Sequence, residues 1–347
     1  MVFGNWRGGL GAAVVASSAL AGAPSYSLVG SFTTPDGAGA RTLTSDGRML
    51  TMVGADVFLQ DAPLSGSFTR LGGIDASLLN SFGASCVALS PDGSTLAIGD
   101  GNFGPGSRVH FVSFADLNGG GAAPVWSVDA ASYEAHWHAD GRLFLSGADF
   151  TDSFVSVVEG VERGGATVRR VVENIVGASA GVTVRDGWVY TANGFDFDPG
   201  SGSGIGDVRA FDLGMLGAGG SFDFESDGVL VASALSGLSL GFDGAGNMLI
   251  GGGDFGDPAQ FGFAAVVDGG AISAALMGLG PAGDADELRL SPAGQNTYSI
   301  LFNGGTQELL VWGFGDGLVH RYAVPTPGGV ACVGLMMGLA AGRRRRG

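Results

Sequence analysis

Cys86-Val87-Ala88-Leu89-Ser90-Pro91-Asp92-Gly93-Ser94-Thr95-Leu96-Ala97-Ile98 decides the fold. Two short apolar runs rich in strand-forming residues flank a turn in which Asp-Gly supplies the left-handed backbone of a tight connection, so the segment reads as a β-hairpin. The arrangement recurs along the chain. Turn glycines fall at Gly47 in Thr44-Ser45-Asp46-Gly47, Gly93, Gly141 in His138-Ala139-Asp140-Gly141, Gly187 after Asp186, Gly246 in Asp243-Gly244-Ala245-Gly246, and Gly294 in Ser291-Pro292-Ala293-Gly294. Successive separations are 46, 48, 46, 59 and 48 residues.

Further strands follow within most periods, as at Val109 to Phe114 and Val125 to Val128 in the second. Four antiparallel strands in just under about 50 residues make one propeller blade, whereas β-helix repeats are usually shorter. The chain holds 66 glycines in 347 residues, far above the usual ~7%, in keeping with many tight turns and few helices. The expectation is an all-β propeller of six or seven four-stranded blades over residues 24–324, flanked by an N-terminal signal helix and a C-terminal sorting helix. Tyr26 to Phe32 is an extra strand before the first repeat. It can complete the last blade and close the circle, or build a seventh, composite blade. The Ser-Pro-Asp-Gly turn and its echoes resemble the WD40-like and YVTN-like propellers. The likeness implies the fold and no chemistry, because neither the Trp-Asp dipeptide nor the YVTN motif is present.

The two ends read as addresses. Residues 1–23 carry Arg7 as their only charge, an apolar stretch from Leu10 to Ala21, and Ala19-Leu20-Ala21, the pattern of a signal peptide cleaved after Ala21. At the other end, Val324-Pro325-Thr326-Pro327 precedes an uncharged run to Gly342 and Arg343, Arg344, Arg345 and Arg346. As a helix that run covers roughly 22 Å, short of the ~30 Å hydrocarbon core, and the arginines favour the cytoplasmic side. Residues 325–347 resemble the PEP-CTERM sorting signals of bacterial exosortase substrates, with Thr326 where that family usually carries glutamate. The resemblance implies transient anchoring in the inner membrane, cleavage near Pro325 and Pro327 by sorting machinery acting after signal peptidase, and release to the envelope or exterior. An ordinary C-terminal anchor is the competing reading.

Processing changes the charge. All 17 basic residues are arginine, against 33 acidic ones; removing Arg7 and the four terminal arginines leaves 12 against 33, a net −21. Such a body repels phosphate backbones and excludes nucleic acid as a natural partner, while cations, basic proteins and neutral glycans are easier company. Cys332 leaves with the tail, so Cys86 has no disulfide partner in the mature chain, which is expected to be a monomer.

Eight or nine residues after each turn glycine stands an Asp or Asn: Asp56, Asn102, Asp149, Asp196, Asp254 and Asn303, each with a phenylalanine nearby. Loops after the second strand open together at one end of a propeller, so six oxygen-bearing side chains are expected around one rim. They form either a site for Ca²⁺ or a polar ligand, or turn residues bonding their own backbone. The long fourth loop sets Asp196, Asp198 and Asp207 at the first, third and twelfth positions of a calcium-loop frame, with Gly200 and Ser201 at the fifth and sixth, where an acid or amide and a glycine belong. A Gly/Ser insertion is the simpler reading. His136 and His138 alternate on one strand face without a local third ligand, and no nucleophile-base set stands out, so no catalytic residue is assigned. Two functions remain. One is a non-enzymatic binding or matrix component of the envelope, meeting a protein or glycan. The other is a Ca²⁺-dependent extracellular propeller enzyme of the lactonase-like or glycan-acting kind. Intact-mass spectrometry of the protein recovered outside the cell is expected to show neither residues 1–21 nor Arg343 to Arg346; recovery of the arginine peptide on the released protein refutes the processing scheme.

Overall fold

The computed structural model describes residues 26–102, 104–117, 121–149, 152–161, 165–194, 206–216, 219–234, 236–252, 263–283, 299–313 and 317–324. They form a six-bladed β-propeller. Blade one is β2 (Ala38–Leu43), β3 (Met49–Val53), β4 (Asp56–Gln60) and β5 (Phe68–Gly73); blade two is β6 (Val87–Leu89), β7 (Thr95–Gly99), β8 (Arg108–Ser113) and β9 (Trp126–Asp129). Blade three is β10 (Glu134–Trp137), β11 (Leu143–Ala148), β12 (Ser153–Glu159) and β13 (Thr167–Ile175), with the short β17 (Phe222–Asp223) added in parallel at its edge. Blade four is β14 (Ser179–Arg185), β15 (Trp188–Asn193), β16 (Asp207–Asp212) and β18 (Val229–Ser233). Blade five shows β19 (Ser239–Phe242), β20 (Met248–Gly252) and β21 (Phe263–Val267) among the described residues, followed by a helix, α1 (Gly269–Leu276).

The sixth blade settles how the ring closes. Its strands β22 (Ser299–Asn303), β23 (Glu308–Trp312) and β24 (Leu318–Ala323) are completed by β1 (Ser27–Thr33), which pairs antiparallel with β24 from Ser27 opposite Ala323 to Thr33 opposite Leu318. The N-terminal strand is therefore the outer strand of the last blade, and the described residues form no seventh, composite blade.

The period-two alternation of side chains explains why the blades stack in a ring. In β7, Leu96 and Ile98 face blade one and join Leu50, Met52 and Val57, while Ala97 between them faces blade three and joins Leu143 and Leu145. In β20, Met248 and Ile250 pack toward blade four and Leu249 toward blade six. In β23, Leu309 and Val311 pack toward blade five, and Leu310 and Trp312 toward blade one. Six apolar clusters result, one for each junction between neighbouring blades. The second strands are consequently apolar at almost every position, because both of their faces are interior.

The first hairpin of each blade follows the turn chemistry. Gly47, Gly93, Gly141, Gly187 and Gly246 all have positive φ, from 73° to 90°, a backbone state that costs glycine nothing. In blade six the hairpin joins β22 to β23 through Gly304, Gly305 and Thr306, and Gln307 takes the left-handed place at φ 58°. Gly294, expected to hold the sixth turn, lies outside the described residues, as do the signal and sorting segments. Among the described residues no helix is long and apolar enough to cross a membrane.

Phe32 of β1 is 6% exposed and packs with Met49, Leu310, Trp312 and Val319 at the junction that closes the ring. Phe32→Ala is expected to destabilise the protein by about 3–5 kcal/mol in urea unfolding. Leu28→Ala, on a side chain 53% exposed in the same strand, is expected to change stability by less than about 0.5 kcal/mol; equal effects refute the closure role of Phe32.

Candidate functional site at the axial mouth

The innermost strands β2, β6, β10, β14, β19 and β22 adjoin in that order around the axis. Having no strand neighbour on their axial side, they leave backbone N–H groups pointing inward without ladder partners. Glu134 answers two of them. It is the first residue of β10, at the end of the ring opposite the Asp-Gly hairpins. Its Oε2 accepts the N–H of Val182 in blade four at 2.7 Å and that of Leu240 in blade five at 3.3 Å, while Oε1 accepts the Ser239 hydroxyl at 2.7 Å. Ile300 N–H in blade six lies 3.5 Å from the same Ser239 oxygen. The carboxylate thus ties its own blade three to blades four and five, and Ser239 carries the contact on to blade six.

Enclosure by protein pushes the Glu134 pKa up to about 7, against the opposing pull of the Ser239, Val182 and Leu240 hydrogen bonds, which favour the charged form. The residue is still partly exposed. On protonation, the acid hydrogen can sit on Oε1 and donate to Ser239, whose hydroxyl then turns from donor to acceptor, with the two backbone bonds on Oε2 kept. Close by, the Cys86 thiol is 6% exposed, beside the Ser85 and Ser132 hydroxyls, themselves 3.3 Å apart. Burial pushes that thiol up to about 11, so it is not a nucleophile at neutral pH. Gly99 permits this packing: a methyl group there would meet the Ser132 hydroxyl oxygen at 2.2 Å.

Of the six residues expected around one rim, four lie among the described residues. Asp56 opens β4 and pairs with Arg70 at 2.7 Å. Asn102 donates to the buried Asp100, which also accepts the N–H groups of Asn102 and Arg108. Asp149 pairs with Arg170, whose guanidinium lies 3.9 Å from the Phe154 ring centroid, and accepts the N–H of Asp152. Each of the three engages a partner within its own blade. Asn303 is at the other end of the propeller altogether. It closes β22, accepts the N–H groups of Gly305 and Thr306, and donates to Gly47 O in blade one at 2.7 Å, so it belongs to the first-hairpin turns. Asp196, Asp198 and Asp254 lie outside the described residues. Asp207 accepts the Ser233 hydroxyl and stands 3.4 Å from Arg209.

Neither histidine forms a ligand pair. His138 lies 2.8 Å from Asp140, which burial pushes up but hydrogen bonds from Arg142 and His138 hold well below the usual carboxylate range. His136, with Thr183 at 3.4 Å, is pushed down to about 4 by burial and the nearby His138, and is neutral at pH 7. No three His, Cys, Asp or Glu side chains converge among the described residues.

Sequence reasoning passed over Glu134, yet a signal was present. Seven residues before the turn glycines of blades one to five stand Ala40, Cys86, Glu134, Ala180 and Ser239. Glu134 is the one charged member of that set, and Ser239, at the matching position two blades on, is its partner.

No family model and no curated protein matches the sequence. Solved structures do. A gluconolactonase from Xanthomonas campestris superposes with a TM-score of 0.53 at 13% identity, covering 85% of this chain and 88% of its own. A protein provisionally named a gluconolactonase superposes with a TM-score of 0.50 at 14% identity, covering 87% of this chain and 92% of its own. At such identities the likeness is one of fold, the six-bladed propeller.

The raised pKa has a stability signature. Glu134 binds its proton more tightly folded than unfolded, so its contribution is complete below about pH 4.5 and is lost as pH rises through about 7. The loss amounts to about 3 kcal/mol. Glu134→Gln, which keeps the shape of the protonated acid and can donate to Ser239, is expected to match the parent at pH 4.5 and exceed it at pH 8 in chemical denaturation; identical pH profiles refute the assignment.

Proposed function

We propose that this chain is an exported propeller hydrolase of the lactonase kind, with Glu134 as its general base at the axial mouth. The carrying observation is a carboxylate held on the axis with a pKa of about 7, where a base is both available and strong enough to work at neutral pH. The fold likeness to a gluconolactonase supports the same reading over a purely structural role. In the reaction, ionised Glu134 takes a proton from water as the water oxygen attacks the lactone carbonyl. The ring C–O bond then breaks, and the protonated acid returns the proton to the leaving alkoxide, giving a hydroxy acid. The strongly acidic body favours arrival of a neutral lactone and departure of an anionic product. Export and release through the two terminal segments belong to this proposal and rest on their sequence patterns. A second reading, an envelope binding or matrix component, rests on the two terminal sequence patterns; the rim residues Asp56, Asn102 and Asp149, engaged within their own blades, add nothing to it.

A pH-stat assay with five- and six-membered aldonolactones tests the choice. Hydrolysis is expected to rise with pH through about 7, and Glu134→Gln to lower kcat/KM by about 10²-fold or more with its circular dichroism unchanged. Absence of hydrolysis above buffer, or full activity in Glu134→Gln, rejects the enzyme and leaves the binding reading.

A further inference from the structure

At the opposite end of the ring, between the first hairpins of blades four and five, lies a cavity of about 380 Å³ with its own chemistry. That volume is within the range of small-molecule sites. Its walls include Trp188, Phe242 and Tyr190, with Ile272 and Leu276 of α1 across from them and Arg185 at the edge. The helix is fixed there by its N-cap: Asp268 accepts the Ala271 N–H at 3.1 Å, and Asn247 accepts that of Gly269 at 3.0 Å.

Tyr190 is the telling residue. Its side chain is 2% exposed and packs edge-on to Phe242, ring centroids 5.0 Å apart, yet its hydroxyl bonds to no described residue. The hydroxyl is not one of the fully buried polar atoms without a partner, and Tyr190 lines the cavity, so a ligand there can meet it. Arg185, by contrast, is held rigid. It lies over the Phe242 ring at 5.1 Å, donates to Asp243 O at 3.0 Å, and pairs with Asp186, itself 82% exposed, at 3.1 Å.

We infer that this cavity is a glycan subsite that takes one pyranose ring, its C–H face against Trp188, a hydroxyl bonded to Tyr190, and the Phe242 ring, covered by Arg185, forming the wall beside it. A pyranose fits because it offers both things the walls ask for, an apolar face and hydroxyl groups at its margin. The planar Arg185 and Asp186 groups at the edge suit neighbouring hydroxyls on the same ring. A neutral sugar also escapes the repulsion that the acidic body exerts on anions. The site is remote from Glu134 and independent of the proposed reaction. It would hold the protein to an envelope polysaccharide while the axial mouth stays open.

The test uses the mature protein with methyl β-glucoside, methyl β-galactoside, N-acetylglucosamine and their β-linked tetramers, followed by calorimetry and by tryptophan fluorescence. Saturable binding is expected, weakened about tenfold by Tyr190→Phe and at least tenfold by Trp188→Ala. Glu134→Gln is expected to bind unchanged, and Tyr190→Phe to leave lactone hydrolysis, where present, at the parental rate. The two functions thereby fail separately. No binding of any panel sugar at about 20 mM overturns the proposal. Binding insensitive to Tyr190→Phe also overturns it, as does binding of adenosine in place of the sugars. Because Tyr190→Phe removes only a hydroxyl, its melting temperature is expected to match the parent and keeps the result readable if Trp188→Ala fails to fold.

Discussion

Each blade is apolar on both faces, and that single constraint governs the architecture. A sheet carrying Leu96 and Ile98 on one side and Ala97 on the other has no surface to give to water. It is stable only between two neighbours, and the neighbours are in the same position. A linear stack would end in two unprotected faces. Closing the stack into a circle removes them, and six blades joined by six clusters are what the sequence builds. The chain makes the final junction by lending its first strand to its last blade, so the hydrogen bonds between β1 and β24 hold what packing alone would leave able to part.

Closing the ring creates the axial problem that Glu134 solves. Inner strands converge with N–H groups that have no ladder partner on the axial side, and leaving such groups bare where protein excludes water is costly. A carboxylate there satisfies two of them and binds Ser239 besides, at the expense of burying a charge. The compromise is a pKa near neutrality. Structural need and chemical aptitude therefore share one residue, as they do wherever burial tunes an acid.

Much of this was legible in the sequence, for reasons that can be named. The Asp-Gly turns stand out because the left-handed place in five first hairpins is filled by glycine, and the apolar runs around them are long enough to show the strand pairs. The sixth hairpin escaped because Gln307 occupies that place, while Gly294 stood at a misleadingly regular spacing. That displacement carried Asn303 with it onto the wrong end of the molecule. Asp56 and Asp149 share a place in the repeat, but pattern alone does not show that Arg70 and Arg170, 14 and 21 residues further on, pair with them. Glu134 is hidden by its neighbours, since His136 in the same strand and His138 just past its end carry the more conspicuous metal-ligand pattern. Tyr190 is hidden more simply: only the fold shows that its hydroxyl has no partner among the described residues.

The borrowed strand also sets a schedule. Ser27 and Ala323 are partners, yet nearly the whole chain lies between them. Until residues 318–323 have been made and delivered to the compartment where folding occurs, β24 cannot receive β1, and both strands present open edges to whatever is near. The most vulnerable moment for this protein is therefore late, when five blades are stacked and the sixth waits for a segment held since the beginning. A second molecule caught at the same stage offers an identical strand, so crowding during delivery favours exchange of β1 between chains over closure within one.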